Sequence, residues 1–263
     1  MPSVTCNGVK VHYQEQGRGE PLVCIMGLGA PGSLWEDHVA AYEKHFRCIL
    51  IDNRGAGESD KPAGPYTTRM MAEDTAGLMQ TLGIGNARLA GLSMGSAIAQ
   101  ELALARPDLV RCLVLISSWS RCDRYTVAVF EQFKKMRALA SPADFMQLLQ
   151  LWIAAPGHYE ANYEELVQGQ QEAAEGYMPL HAFQAQCDAC SGHDAYDRLD
   201  RIAVPALLTV GDADIFTPLR LSAEMHARMP DSELWVLPGR GHIHHWEDLD
   251  SFNARTTEFL LNH

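Results

Sequence analysis

Nowhere in the chain does an apolar run reach the roughly 20 residues a membrane-spanning helix needs, so a membrane-embedded protein is not expected. The start, Met1-Pro2-Ser3-Val4-Thr5-Cys6-Asn7, carries no basic stretch leading into an apolar one, from which a soluble, cytoplasmic protein is expected. Positive charge is scarce: 21 Lys and Arg against 33 Asp and Glu leave a net charge of −12, which disfavours nucleic acid and anionic membranes as partners. Cysteines are few and odd in number: seven, at 6, 24, 48, 112, 122, 187 and 190. Scattered so, they form no disulfide framework and are expected to be reduced and mostly buried. Repeats and low-complexity tracts are missing as well, and 263 residues at 47% hydrophobic content fit one large core.

What is present begins with Gly91-Leu92-Ser93-Met94-Gly95, a serine between two glycines. Ala87 to Ala90 before it has strand character, and Ser96 to Ala105 after it is rich in strong helix formers. A serine at so sharp a strand-to-helix corner needs small residues two before and two after it, and its hydroxyl is then pushed out above the sheet. Val4 to Cys6, Asn7-Gly8 and Val9 to Gln14 read as a β-hairpin, because Asn-Gly suits a two-residue turn with positive dihedrals. Further strands are expected at Pro21–Met26, Cys48–Asp52, Val110–Ile116, Ala206–Val210 and Glu233–Leu237, alternating with helical patterns, so the sheet should be mostly parallel. Between Arg121 and Leu199 strands give way to helical stretches at Val127–Leu139, Pro142–Ala154 and Tyr163–Ala174, punctuated by Pro142, Pro156-Gly157 and Gly176. Residues 121–198 are therefore expected to form a helical lid inserted into a core made of 1–120 and 199–263.

A serine hydroxyl is a weak nucleophile, and it needs a base to take its proton and a carboxylate to orient that base. In this architecture both follow the serine, acid first, on loops after late strands. Asp214 stands in Gly211-Asp212-Ala213-Asp214-Ile215-Phe216-Thr217-Pro218, directly after a strand, and is preferred to Asp212 as the acid. His242 closes Pro238-Gly239-Arg240-Gly241-His242 and is the expected base, since histidine's unperturbed pKa lies near ~6.5. His244 and His245 are expected to pack at the pocket mouth or on the surface; no cysteine or paired carboxylate with ligand spacing accompanies them, so no metal site is expected. An oxyanion hole needs two backbone N–H donors, assigned to Met94 and, in Met26-Gly27-Leu28-Gly29, to Leu28. Cys187-Asp188-Ala189-Cys190 has redox-motif spacing but no thioredoxin-like surroundings, and reads as two cysteines on one helix face.

These motifs, with Asp52-Asn53-Arg54-Gly55-Ala56-Gly57-Glu58-Ser59-Asp60-Lys61-Pro62 and the ending Phe252-Asn253 to Phe259-Leu260, resemble the α/β-hydrolase superfamily over essentially the whole chain. Within it, Met26 to Trp35 and Ile116-Ser117-Ser118-Trp119 look nearest to lidded aminoacrylate hydrolases and 3-oxoadipate enol-lactonases. Met26 departs from the histidine many members carry before the glycine, and serine at 93 separates the chain from dehalogenases and epoxide hydrolases, which carry aspartate there. The resemblance implies an α/β-hydrolase fold in which Asp52 and Arg54 hold loops together. It also implies a serine hydrolase that needs no cofactor, acting with water on a small-molecule acyl substrate such as an ester or lactone. A carbon–carbon bond hydrolase, perhydrolase or acyltransferase on the same triad, or a hydrolase-like ligand receptor, are the alternatives; the oligomeric state is open, a homodimer included. The substrate pocket is expected from Trp119, Phe130, Phe145, Met146, Trp152, Phe183, Ile215 and Ile243, with Phe133 beside them in the lid.

Overall fold

The structure is a computed structural model that describes residues 2–174 and 178–263; Gly176, expected to end a lid helix, lies outside them. Eight strands form one sheet in the order β1-β2-β4-β3-β5-β6-β7-β8. They run β1 Ser3–Cys6, β2 Val9–Gly17, β3 Glu20–Ile25, β4 Phe46–Ile51, β5 Ala87–Leu92, β6 Val110–Ile116, β7 Ala206–Gly211 and β8 Ser232–Leu237. β2 pairs antiparallel with β1 and with β4, while every pairing from β4 through to β8 is parallel. Asn7 and Gly8 both take positive φ, 47° and 75°, which gives the tight turn the Asn-Gly pair encodes.

Both faces of the sheet's centre are covered, so β3 to β7 are mostly apolar while successive residues still point to opposite sides. Leu22, Cys24, Cys48, Leu50, Ala90 and Val114 face one layer, made by α1 (Glu36–Tyr42) and α11 (Leu249–Asn262). Val23, Ile25, Ile49, Leu89, Leu113 and Leu208 face the other, under α2 (Thr68–Thr81), α3 (Met94–Ala105) and α9 (Leu219–His226). All seven cysteines are free, five of them buried. Burial pushes the Cys48, Cys112 and Cys122 thiols up to about 12, so these behave as small apolar side chains.

Between β6 and β7 the described residues form α4 (Arg124–Leu139), α5 (Pro142–Ile153), α6 (Pro156–Ala161), α7 (Tyr163–Ala174) and α8 (Leu180–Ser191), with no strand among them. Ser141 caps α5, its side chain accepting from the Asp144 N–H, and Pro142 occupies the first turn, where its missing N–H costs nothing. Pro156 starts α6 in the same way, but Gly157 lies inside that helix and does not end one. Cys187 and Cys190 share the buried face of α8, and burial raises both thiols, so neither forms a ready thiolate.

The inserted helices are joined to the sheet by aromatic side chains. Phe133 of α4 stands edge-on to Phe145 of α5 at 6.2 Å and to Phe216 of the β7–α9 loop at 5.2 Å, and Phe130 meets the same Phe216 at 5.2 Å. Such edge-to-face contacts add to the apolar burial. Phe133→Ala should lower unfolding free energy by about 3–5 kcal/mol, the usual cost of emptying a buried phenylalanine site; urea unfolding followed by far-UV circular dichroism measures it, and a loss under 1 kcal/mol would place Phe133 outside the joint.

Candidate active site

β5 passes into α3 with no intervening loop, and Ser93 sits at the junction with φ 52° and ψ −114°, a strained conformation for a residue with a Cβ. Two glycines make the junction possible. A Cβ on Gly95 would stand 2.0 Å from the Ile25 carbonyl oxygen, and one on Gly91 would stand 2.5 Å from the Gly95 carbonyl oxygen. The Ser93 N–H donates to the Ile116 carbonyl at 2.8 Å, and the Ser93 carbonyl accepts from the Ser96 N–H at 2.9 Å and the Ser96 hydroxyl at 2.6 Å, so the residue is held from both sides. The loop Met26-Gly27-Leu28-Gly29 lies against it: a Cβ on Gly27 would come 3.4 Å from the Ser93 Cβ. Met94, next along, is fully buried at the start of α3.

Asp214 and His242 come together after β7 and β8. His242 Nδ1 lies 2.9 Å from Asp214 Oδ2, and both side chains are buried. Asp214 Oδ1 accepts the N–H groups of Phe216 and Thr217, each at 2.8 Å, and Oδ2 also takes the Thr217 hydroxyl at 2.8 Å. With every neighbour a donor, Asp214 is an acceptor-only carboxylate, so His242 Nδ1 carries the proton and Nε2 is left as the basic nitrogen. Asp212 has a different partner: its Oδ1 accepts the Gly239 N–H at 2.6 Å on the exposed side of the loop. Thr217 had no place in the sequence expectation, although Asp-x-x-Thr after a strand is the spacing at which a hydroxyl turns back onto a carboxylate.

Ser93 and His242 open into one cavity of about 500 Å³. Its walls come from the segment after β3 (Met26, Leu28, Pro31, Leu34), from Leu92, Phe216, Ile243 and Trp246, and from Met146, Leu149, Ile153, Leu166 and Met178 of the inserted segment. Besides Ser93 and His242, Lys61 and Gln150 bring polar groups to a largely apolar surface. Of the eight expected pocket residues, Met146 and Ile243 line it. The other six are corrected: Trp119, Phe130, Phe145 and Phe183 are at most 1% exposed and pack in the core cluster, Trp152 packs on Phe133 at 6.0 Å, and Ile215 is 51% exposed. Large rings gain most by full burial, so those of the inserted helices fill the joint, while the same helices turn thinner aliphatic and thioether side chains toward the cavity.

The expectation for His244 and His245 is also corrected, since both are fully buried. His244 Nε2 meets the Thr209 hydroxyl at 2.9 Å, and Nδ1 meets the Ser117 hydroxyl at 3.3 Å, whose own proton goes to the His242 carbonyl at 2.6 Å. His245 Nδ1 meets His38 Nε2 at 2.9 Å. These rings staple the turn after His242 to β6, β7 and α1. Asp52 and Arg54 are likewise ties: Asp52 accepts the Gly32 N–H at 2.6 Å and lies 2.8 Å from His12 Nδ1, and Arg54 forks onto Asp74 at 2.5 and 2.6 Å. Asn53 holds the Met26 carbonyl at 2.9 Å, which fixes the loop where histidine is replaced. Two further ties have no local sequence signal. Gln186 of α8 accepts the Gly29 N–H at 2.8 Å and donates to the Arg54 carbonyl at 2.8 Å; Glu247, ending α10 (His244–Glu247), accepts from Gly241 and Ala155. No group of three His, Cys, Asp or Glu side chains among the described residues is arranged to hold a metal, and no described helix is long and apolar enough to cross a membrane.

Residues 20–249 match the alpha/beta hydrolase fold family. The enol-lactonase of Burkholderia xenovorans LB400 superposes with a TM-score of 0.91 at 26% identity, covering 99% of this chain and 100% of the other. Among curated proteins, one from Stutzerimonas stutzeri named for carbamate hydrolysis, RutD, is 29% identical over 96% of each chain. Another, from Mycobacterium tuberculosis and named for non-heme bromoperoxidase activity, BpoC, is 30% identical over 97% of this chain and 98% of its own. The chain belongs to the α/β-hydrolase family, and it is an enzyme of the hydrolase class.

The buried histidines make stability depend on pH. Burial drives His244 down to about 3 and His193 down to about 4, and lowers His38 and His245 as well. Unfolded, each binds a proton near ~6.5. Between ~6.5 and those folded values the unfolded state holds more protons, so stability rises with pH across the window and is lost on acidification. Urea midpoints should therefore fall between pH 7 and pH 5, as the unfolding free energy drops with a slope that approaches about 1.4 kcal/mol per pH unit for each such histidine once the pH is below ~6.5. His193→Gln should flatten the slope; a midpoint that holds or rises on acidification would contradict this account.

Proposed function

We propose that this enzyme is a serine hydrolase that cleaves a small ester or lactone with an apolar acyl portion, through Ser93, His242 and Asp214. The observation that carries the reading is the meeting of Ser93 and His242 on one apolar cavity, with His242 Nδ1 held 2.9 Å from a buried carboxylate. The kinship with an enol-lactonase and with a protein named for carbamate hydrolysis supports acyl chemistry of this kind.

His242 Nε2 takes the Ser93 proton as Oγ attacks the acyl carbonyl carbon, and the carbonyl π electrons move onto oxygen. The N–H groups of Leu28 and Met94 are the proposed donors to that oxyanion; Met94 opens α3, whose first N–H groups have no intrahelical acceptor. Collapse expels the alcohol, which takes the proton back from His242. Water, deprotonated by the same nitrogen, then attacks the acyl-enzyme and releases the acid. These steps call on no metal or organic cofactor. Residues 121–198 are proposed as a lid over a core of 1–120 and 199–263, with Met146, Leu149, Ile153, Leu166 and Met178 selecting the acyl portion.

Ser93→Ala should keep the fold and lose both ester turnover and covalent labelling by a fluorophosphonate probe. Labelling at full stoichiometry in that variant, read by intact-protein mass spectrometry, would mean that another residue is the nucleophile. Asp214→Asn should lower kcat by about 10⁴-fold, because an amide cannot hold the Nδ1–H tautomer. Asp212→Asn, which loosens only the Gly239 turn, should stay within about tenfold of the parent. Steady-state rates on a short p-nitrophenyl ester compare the two, and a reversed order would transfer the acid role to Asp212.

A further inference from the structure

The loop that carries His242 is tied to the inserted segment by backbone and by one carboxylate. Ala155 follows α5 at 2% exposure, and its N–H donates to Glu247 Oε1 at 2.7 Å. The Gly241 N–H donates to Glu247 Oε2 at 2.8 Å. On the far side of His242, the Ile243 N–H donates to the Ile153 carbonyl at 3.2 Å. The backbones approach so closely that a Cβ on Gly241 would lie 2.6 Å from both the Ala155 nitrogen and the Ile153 oxygen. Glu247 itself is 8% exposed and forms no ion pair among the described residues, so its carboxylate rests on those two N–H groups. A buried carboxylate without a cation is costly, and apolar packing would fill the space more stably.

We propose that Glu247 is a positioning residue that fixes the His242 loop and the cavity wall at Ile153 as one body. The inference rests on the reading of His242 as the base. Each oxygen of the carboxylate serves one of the two segments, so any shift of residues 153–155 is passed to Gly241 and from there to the neighbouring imidazole. The inserted segment then contributes to proton transfer as well as to covering the cavity. Proton transfer depends steeply on placement, and a displacement of about 1 Å costs on the order of 10²-fold.

Two substitutions separate the halves of the link. Glu247→Gln turns an N–H toward one of the two N–H donors and breaks one bond without changing side-chain volume. Ala155→Pro removes the Ala155 donor at a position whose φ of −65° and preceding φ, ψ of −88° and 142° suit proline, and its ring Cδ, standing where the proton was, turns Glu247 Oε1 away from residue 155. Ala155 does not line the cavity. Kinetics on a short p-nitrophenyl ester should show kcat reduced roughly 10- to 100-fold in each variant, with KM within about threefold of the parent, and the double variant should be no slower than the worse single one. Urea midpoints are measured alongside. Unchanged kcat in Ala155→Pro would overturn the link, as would variants that lose only stability; if Glu247→Gln does not fold, Ala155→Pro alone decides. Ester turnover by Ser93→Ala would instead remove the serine–histidine reading on which the inference stands, and it is assayed first for that reason.

Discussion

The first turn of α3 is pressed against the end of β3, with Gly95 facing the Ile25 carbonyl at a distance no side chain could share. The rest of the site depends on this contact. It lets α3 begin directly at Ser93, which forces the positive φ there, and it brings the Met26–Gly29 loop beside the serine, because that loop leaves the same strand end. The strain at Ser93 is held by a dense set of backbone acceptors and donors from β6 and α3. Once the serine is fixed, the loops after β7 and β8 must reach the same point, and hydrogen bonds from Thr217, Ser117 and His244 hold them there.

Much of this was legible in the residues because the signals are local. Strand-helix alternation, the Asn-Gly turn and the glycine spacing around Ser93 are each set by a few adjacent residues; β2 runs three residues past the expected Gln14, and the other strand ends shifted by no more than two positions. The order of Asp214 and His242 after Ser93 pointed to two loops that do meet, at 2.9 Å between His242 Nδ1 and Asp214 Oδ2, since both follow strands whose apolar runs are easy to see. Reading failed where neighbours distant in sequence decide. Trp119, Phe130, Phe145 and Phe183 are apolar in either role, and only three-dimensional packing sends them to the joint and Met146 to the cavity. His244 and His245 look polar in a list of letters, yet Thr209, Ser117 and His38 give them buried partners. Gln186 and Glu247 act over separations of 157 and 92 residues, which leave no local pattern.

The inserted helices meet the sheet in two physically different ways. Phe133, Phe216 and their neighbours supply non-directional apolar burial that stabilises the joint but tolerates small slips. Gln186 at Gly29 and Glu247 at Gly241 supply directional bonds, one on each of the two loops that flank Ser93. A buried amide or carboxylate with all its partners in place specifies one arrangement, because any other leaves a polar group unpaired. Greasy contact thus holds the insertion on, and two polar side chains set where it sits.

The cavity wall records a division along the chain. Its Ser93–His242 end is built by residues at strand ends, where the sheet leaves little freedom, whereas Met146, Leu149 and Leu166 come from helices that the sheet does not constrain, and Met178 from the segment just before α8. Ile153 and Ala155 belong to that second group in sequence but to the first in their backbone bonds. Evolution acting on this chain can therefore exchange side chains along α5 and α7, and so reshape the cavity, without disturbing its Ser93–His242 end. A single insertion or deletion between residues 153 and 155 has no such freedom. Diversification is open in side chains and closed in loop length at that one junction.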